Sequence, residues 1–255
     1  MAITRTRHRS DDKDRALQGG GMNVLSVMAH QDDELACLGT MLRMRDRGDG
    51  LHFICCTDGC AGMAQNPDMT RAEAAAIRDR EMRELTDRLG ASYECLGERD
   101  VFLYDTPEVR MRLLNAMRAC KPDVVFSHFT PDFNTDHMAV NTMVRQCAMA
   151  MGLKTLHTDA PPCDTPAVFL VEPSGNFEFD ATHYVDVTAQ MDEKMALISL
   201  HRSQDELFHV WHGYGLGEYA MRGSLHRGEE VGVLYAEAFR PMLARKLVKA
   251  YQVLP

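Results

Sequence analysis

The sequence predicts an α/β fold in which helices cover both faces of a mainly parallel sheet, and three observations carry that expectation. Short apolar runs of strand length alternate with longer amphipathic runs along the chain. The strand-like runs are apolar enough to be buried on both sides, as parallel strands are. The 255-residue length suits one sizeable domain, and no linker is long enough to set off a second.

Taken in order, Asn23 to Met28 reads as a buried strand and Leu35 to Arg47 as the helix after it, with apolar residues at helical spacing. Leu51 to Cys56 is the second strand. Thr70 and Glu73 form a capping box that starts a helix running to Leu89 and stopped by Gly90. Ser92 to Leu96 is a third strand, and Glu108 to Ala119 a helix ended by Pro122. Asp123 to Ser127 is the next strand, followed by a polar loop and a helix from Asp136 to Met151. Strands over Ala167 to Val171 and Tyr184 to Val187 precede a helix from Ala189 to His201. Residues 1–22, polar and ending in a glycine run, read as a flexible arm, and 23–255 as a single domain.

Composition narrows the function. With 45% hydrophobic and 25% charged residues the chain is globular. A net charge of -9 argues against nucleic-acid binding, which needs clustered Lys and Arg. No apolar run reaches the roughly 20 residues of a membrane span, and the N-terminus is too polar for a secretory signal. Eight cysteines in a chain of this length read as free thiols in a reducing cytoplasm. Cys56 and Cys60 have CxxxC spacing, but no second pair completes a zinc knuckle.

The chemistry gathers in two clusters placed after strands, where an open α/β sheet binds its ligands. The first is His30-Gln31-Asp32-Asp33-Glu34, and the second runs from His128 to His137. Three successive carboxylates repel one another, so a cation should sit among them. His30 and Asp33, three residues apart on a first helical turn, share a face and make half of a metal site. His137 could supply a third ligand, which leaves a position open for water as catalytic sites do. Asp32 is then free to act as general base towards a water whose pKa the metal lowers. The plainer alternative is that Asp32 or Asp33 merely caps the next helix. Asp136 could likewise be a helix N-terminal acid, His137 a surface histidine and His128 a packed residue behind the ligands.

Here a resemblance sharpens the reading. AHQDDE, residues 29–34, resembles the AHPDDE signature of the LmbE-like, or PIG-L, family of zinc-dependent N-acetylglucosaminyl deacetylases, with Gln31 where proline is usual. TDG at 57–59, the Arg78 to Glu81 segment, DFNTDH at 132–137, YVDVTAQMDEKMALISLHRSQ at 184–204 and VGVLYAEAFR at 231–240 follow in family order. The resemblance implies a Rossmann-like three-layer α/β/α domain. It implies His30, Asp33 and His137 as ligands of one Zn2+ per subunit, with Fe2+ or Co2+ as other occupants. Asp32 is implied as general base, and Asp136 as the acid that orients its neighbours. Arg78 and Asp100 fall at positions that contact sugar hydroxyls in relatives; for Arg78 an ion pair with Glu81 or Glu84 is the alternative.

The sequence departs from the family at Asn134, where a histidine is common. Asn134 can donate an amide hydrogen bond to an oxyanion but cannot act as an acid. Asp32 would then return the proton to nitrogen itself, with His128 as a local substitute near the substrate. The implied activity is removal of an N-acetyl group from an amino sugar or sugar conjugate. The alternatives are hydrolysis of another N-acyl metabolite, a ligand-binding homologue with reduced turnover, and a non-haem iron oxygenase, against which the α/β pattern counts. The implied partner is a small molecule, with neither nucleic acid nor membrane, and oligomeric state stays open from single subunit to homo-oligomer. Specificity is expected from loops 61–70, 99–107 and 157–166. Trp211 and Tyr214, in HVWHGYGLGEY at 209–219, either stack on a sugar or simply pack, and His209 and His212 read as rim residues.

Overall fold

The computed structural model describes residues 21–174 and 178–244. Most of the arm expected over 1–22 lies outside the described residues. Among the described residues seven strands form one sheet in the order β3-β2-β1-β4-β5-β7-β6. They are β1 Asn23–Met28, β2 Gly50–Thr57, β3 Ser92–Glu98, β4 Val124–His128, β5 Ala167–Val171, β6 His183–Asp186 and β7 Ala236–Pro241. The first five pair in parallel. Strand β7 runs antiparallel between β5 and β6, so the sheet is mixed at one edge.

Among the described residues seven helices flank it: α1 Leu38–Asp46, α2 Arg71–Leu89, α3 Pro107–Cys120, α4 Thr135–Ala150, α5 Met191–Ile198, α6 Arg202–His212 and α7 Leu216–Val231. Strand β1 shows why both faces are covered. Leu25 and Val27 pack with Leu113, Met117, Val140 and Val144 of α3 and α4. Val24 and Met28 point the other way, among Met41, Met82, Leu85, Ile198 and Leu216. A run apolar at nearly every position is what such a strand requires. Among the described residues no helix is long and apolar enough to cross a membrane.

Two details fix the layer on either side. Arg118 is fully buried and donates to the carbonyls of Ala150, Met151, Leu153 and Leu156, closing the C-terminal end of α4 with a charge of the right sign. Opposite, Glu237 of β7 accepts from the N–H groups of Gly39 and Thr40 at the start of α1 and pairs with buried Lys194 of α5.

The helix expected over Leu35–Arg47 is split. A 3-10 turn spans Asp33–Ala36, Cys37 breaks the run with φ -137, and α1 begins at Leu38. The helix expected from Ala189 to His201 is α5 alone, and two further helices follow where the sequence reads as a glycine-rich stretch. Gly213, at φ 79, ends α6 and Gly215 starts α7. Gly217 lies inside α7 because a Cβ there would come 2.9 Å from Ser199 Oγ and 3.2 Å from the Met195 carbonyl oxygen. The glycines punctuate and pack two helices.

Candidate metal centre

Strand β1 has β2 on one side and β4 on the other, so chain connections leave it in opposite directions. The crevice beyond the carboxyl ends of β1 and β4 is where an open α/β sheet binds ligands. Both sequence clusters meet there. His30 follows β1 by two residues, and His128 ends β4. Between them Asp32 adopts φ 137 and ψ -18, a conformation strained for a residue with a side chain. Asp32 stands at the N-cap of the 3-10 turn but makes no side-chain capping bond, so the capping alternative does not describe it.

The three expected ligands converge. His30 Nδ1 lies 3.2 Å from Asp33 Oδ2, His137 Nε2 lies 3.4 Å from Asp33 Oδ1, and the two imidazole nitrogens are 3.3 Å apart. A tetrahedral ion with bonds of about 2.0–2.2 Å sets its donors about 3.3–3.6 Å apart, so these separations fit one cation held by two imidazoles and a carboxylate. The charge balance agrees. Burial alone would raise Asp33, yet the surrounding imidazoles, His137 first, hold it well below the usual carboxylate range. Burial opposes charge on His137, but Asp33 and Asp132 lift it to about 9. His30 is likewise raised, against burial, by Asp33, Asp100 and Asp136. The cluster therefore favours positive charge.

Each of the two histidines, His30 and His137, is braced from behind by a carboxylate. Asp100 Oδ1 is 3.0 Å from His30 Nε2, and Asp136 Oδ2 is 3.5 Å from it. Asp132 Oδ2 is 2.9 Å from His137 Nδ1. Such partners fix the ring and leave the other nitrogen to a metal. Asp136 also accepts from Val101 N–H and Leu103 N–H, which ties the loop after β3 to the centre. Asp100, expected at sugar hydroxyls, instead spends its oxygens on His30 and Ala61 N–H. Asp132 was not singled out in the sequence, although its place five residues before a ligand histidine could have marked it.

His128, expected near the substrate, sits behind the cluster. It is buried, its ring stacks on His137 at 3.9 Å between centroids, and its Nε2 accepts from Ala29 N–H. That bond makes Nε2 an acceptor and the ring neutral, so the 3.3 Å approach of Nε2 to Asp33 is a contact between two acceptors. Burial lowers the His128 pKa to about 4, with the same result.

Arg78 is fully buried and donates from Nη2 to Asp32 Oδ1 at 3.0 Å. The expected alternatives do not form, since Glu81 accepts from Ser203 and Glu84 pairs with Arg88 and Arg202. Burial raises the Asp32 pKa and Arg78 pulls it back. A raised carboxylate is the state a general base needs near neutral pH. Beside it Gln31, in the place of the family's proline, donates to the Thr57 carbonyl, and Gly59, at φ 63, has no room for a Cβ, which would fall 2.2 Å from Gln31 Oε1. Glu34 pairs with His201, Oε1 to Nε2 at 2.6 Å.

Asn134 caps α4, its Oδ1 accepting from Asp136 N–H, so its amide N–H2 is what it has left to offer a ligand. Tyr214 and Tyr219 line a cavity of about 340 Å³ together with Leu35, Ala36, Lys194 and Glu237, and no residue of the metal cluster lines it. Trp211 stays exposed, and His212 stacks on Tyr214 rather than joining the centre. The eight cysteines are free, and among the described residues none belongs to a metal-ligating cluster.

An α/β protein with a His-Asp-His centre at the switch point of its sheet is the class that fold and site define. Comparison with known proteins narrows it: the PIG-L family model, described as GlcNAc-PI de-N-acetylase, matches residues 25–148. A Bacillus anthracis protein described as a probable N-acetyl-α-D-glucosaminyl L-malate deacetylase 2 is 31% identical over 71% of this chain and 81% of its own length. The chain belongs to the PIG-L family. Among solved structures, N,N'-diacetylchitobiose deacetylase from Pyrococcus horikoshii is 24% identical, with coverage of 94% and 95% and a TM-score of 0.75. GalB, the 4-carboxy-2-hydroxymuconate hydratase from Pseudomonas putida KT2440, is 23% identical, covers 91% of this chain with 100% of its own, and has a TM-score of 0.76. At those identities the likeness is one of fold, and one fold carries unlike chemistries.

Proposed function

We propose that this chain is a cytoplasmic, zinc-dependent hydrolase that removes the N-acetyl group from an N-acetylated amino sugar or sugar conjugate, leaving acetate and a free amine. The observation that carries the proposal is the trio of His30, Asp33 and His137 donors 3.2–3.4 Å apart, with the half-buried carboxylate of Asp32 next in the chain. His30, Asp33 and His137 would hold the zinc, which supplies Lewis acidity to the amide carbonyl and lowers the pKa of water.

The remaining work belongs to the protein. Asp32 accepts a proton from the attacking water and, with no histidine at 134, returns it to the departing nitrogen. Arg78 keeps Asp32 ionised and aimed. Asp100, Asp136 and Asp132 hold the two imidazoles in the tautomers that leave His30 Nδ1 and His137 Nε2 as donors. The amide N–H2 of Asn134 is the group left to bond the developing oxyanion.

The test is acetate release from a panel of N-acetylated sugars and conjugates by protein loaded with one equivalent of zinc. Release from sugars but not from other N-acyl metabolites supports the proposal, and the reverse pattern moves the activity to that second substrate class. Binding of sugars at full zinc content without any release would make the chain a ligand-binding homologue.

A further inference from the structure

The two loops that brace the metal-site histidines also carry large apolar side chains turned into solvent. After β3, Val101, Phe102 and Tyr104 are 56%, 50% and 66% exposed, while Leu103 between them is buried and anchors the loop. After β4, Phe133 is 79% exposed. Scattered exposed apolar residues need no explanation, but four on two adjoining loops do.

Their attachment says where the four residues sit. Val101 and Leu103 donate their N–H groups to Asp136, whose Oδ2 is 3.5 Å from His30 Nε2, and the neighbouring Asp100 is 3.0 Å from the same nitrogen. Phe133 follows Asp132, the brace of His137, and its own ring stands edge-on to His137 with centroids 6.4 Å apart. Phe133 thus touches a metal-site ring and faces solvent at once, so it borders the approach to the centre. Val101 holds φ 71, a strained conformation for a β-branched residue, and the guanidinium of Arg99 lies 4.7 Å above the Phe102 ring. The loop is held with its apolar side chains outward, which argues for a contact made there.

We propose that Phe133 and the Val101–Tyr104 loop form a subsite for an apolar or aromatic group attached to the N-acetylated sugar, so that the preferred substrate is a glycoside with an apolar aglycone. The inference rests on the deacetylase reading and deepens it. Flat aromatic rims bind planar or apolar groups by burying area on both partners, and a subsite of this kind discriminates through binding of the remote group.

The experiment compares amine release from the methyl and phenyl glycosides of N-acetylglucosamine by zinc-loaded protein, in wild type, Phe133→Ala and Phe102→Ala. The same pair of glycosides is titrated calorimetrically into Asp32→Asn protein, which reads binding without turnover. The expected result is a phenyl-over-methyl preference in kcat/KM of about tenfold or more, matched in affinity and reduced to near unity in both alanine variants. Equal kcat/KM for the two glycosides overturns the subsite and leaves the deacetylase reading standing. No turnover of either glycoside counts against the deacetylase reading on this sugar; the calorimetry then decides the subsite alone, and equal affinities overturn it. Light scattering on Phe133→Ser supplies the last arm: a change of oligomeric state with an unchanged glycoside preference would make the patch a contact between copies of the chain and overturn the proposal.

Discussion

Replacing Arg78 by methionine should cost activity much more than it costs stability, and the reason lies in one bond. Arg78 Nη2 meets Asp32 Oδ1 at 3.0 Å, where two unit charges at an effective dielectric of about 20 attract by about 5 kcal/mol. Arg78 Nε and Nη1 are buried with no partner among the described residues. Methionine fills much of the same space and removes those two unpaired donors, so the packing loss is small. The consequence falls on Asp32. Without the guanidinium, burial, Asp33 and Glu34 all push its pKa further up. At neutral pH kcat/KM should drop by about 100-fold or more, the range a general base contributes, and part of it should return as pH rises.

Stability should follow the same linkage in chelated protein. A carboxyl raised above its unfolded value of 3.8 makes the folded state bind more protons than the unfolded one between the two values. Stability therefore falls as pH rises through that window and does not recover above it. The variant widens the window upward. Urea unfolding should show it near wild type at about pH 5 and progressively weaker towards about pH 8. An unchanged pH profile with a raised KM would refute this reasoning and return Arg78 to the sugar-contact role the family resemblance implies.

Three further outcomes follow from the same geometry. Asp32→Asn keeps an oxygen for Arg78 but loses the proton acceptor, so kcat should fall by about 10²–10⁴ while metal analysis finds zinc retained; loss of zinc would make Asp32 a ligand. Asp132→Asn weakens the brace on His137, and zinc affinity in a competition titration should drop by about 10–100-fold. His128→Leu leaves the buried Ala29 N–H without its acceptor, and chemical denaturation should register a loss of about 1–3 kcal/mol. A stability equal to wild type there would mean that the N–H finds another partner.

The fold and the meeting of the two clusters were legible because local patterns stated them. The strand β1 is apolar at nearly every position since both faces are covered, and the Thr70–Glu73 capping box forms as its spacing indicates. His30, Asp33 and His137 meet because two clusters at strand ends converge where neighbouring strands end together. What stayed hidden depends on long-range contacts. Which acid braces which imidazole is decided by the loop after β3 folding back on α4, and no local spacing encodes that. The partner of Arg78 lies 46 residues away in the chain, so helical spacing could offer only a near neighbour such as Glu81. The close packing of Gly217 in α7 involves Ser199 and Met195, which only the folded chain brings near.

The density of acid after β1 is resolved by giving each carboxylate its own positive partner in a different direction. Asp32 turns to Arg78, Asp33 to the two metal-site imidazoles, and Glu34 to the buried His201. No regular helical turn begins at Asp32. The backbone yields instead. Asp32 takes φ 137, held there by Leu35 N–H donating to its carbonyl and by its own N–H donating to Glu34 Oε2 at 3.0 Å. Among the described residues three non-glycines have positive φ; Lys121 merely ends a helix, while Asp32 and Val101 both border the centre. Strain of this kind costs about 1–3 kcal/mol at each residue and persists only where the surroundings fix it. In the proposed mechanism it separates the proton acceptor from the metal ligand that adjoins it in the chain.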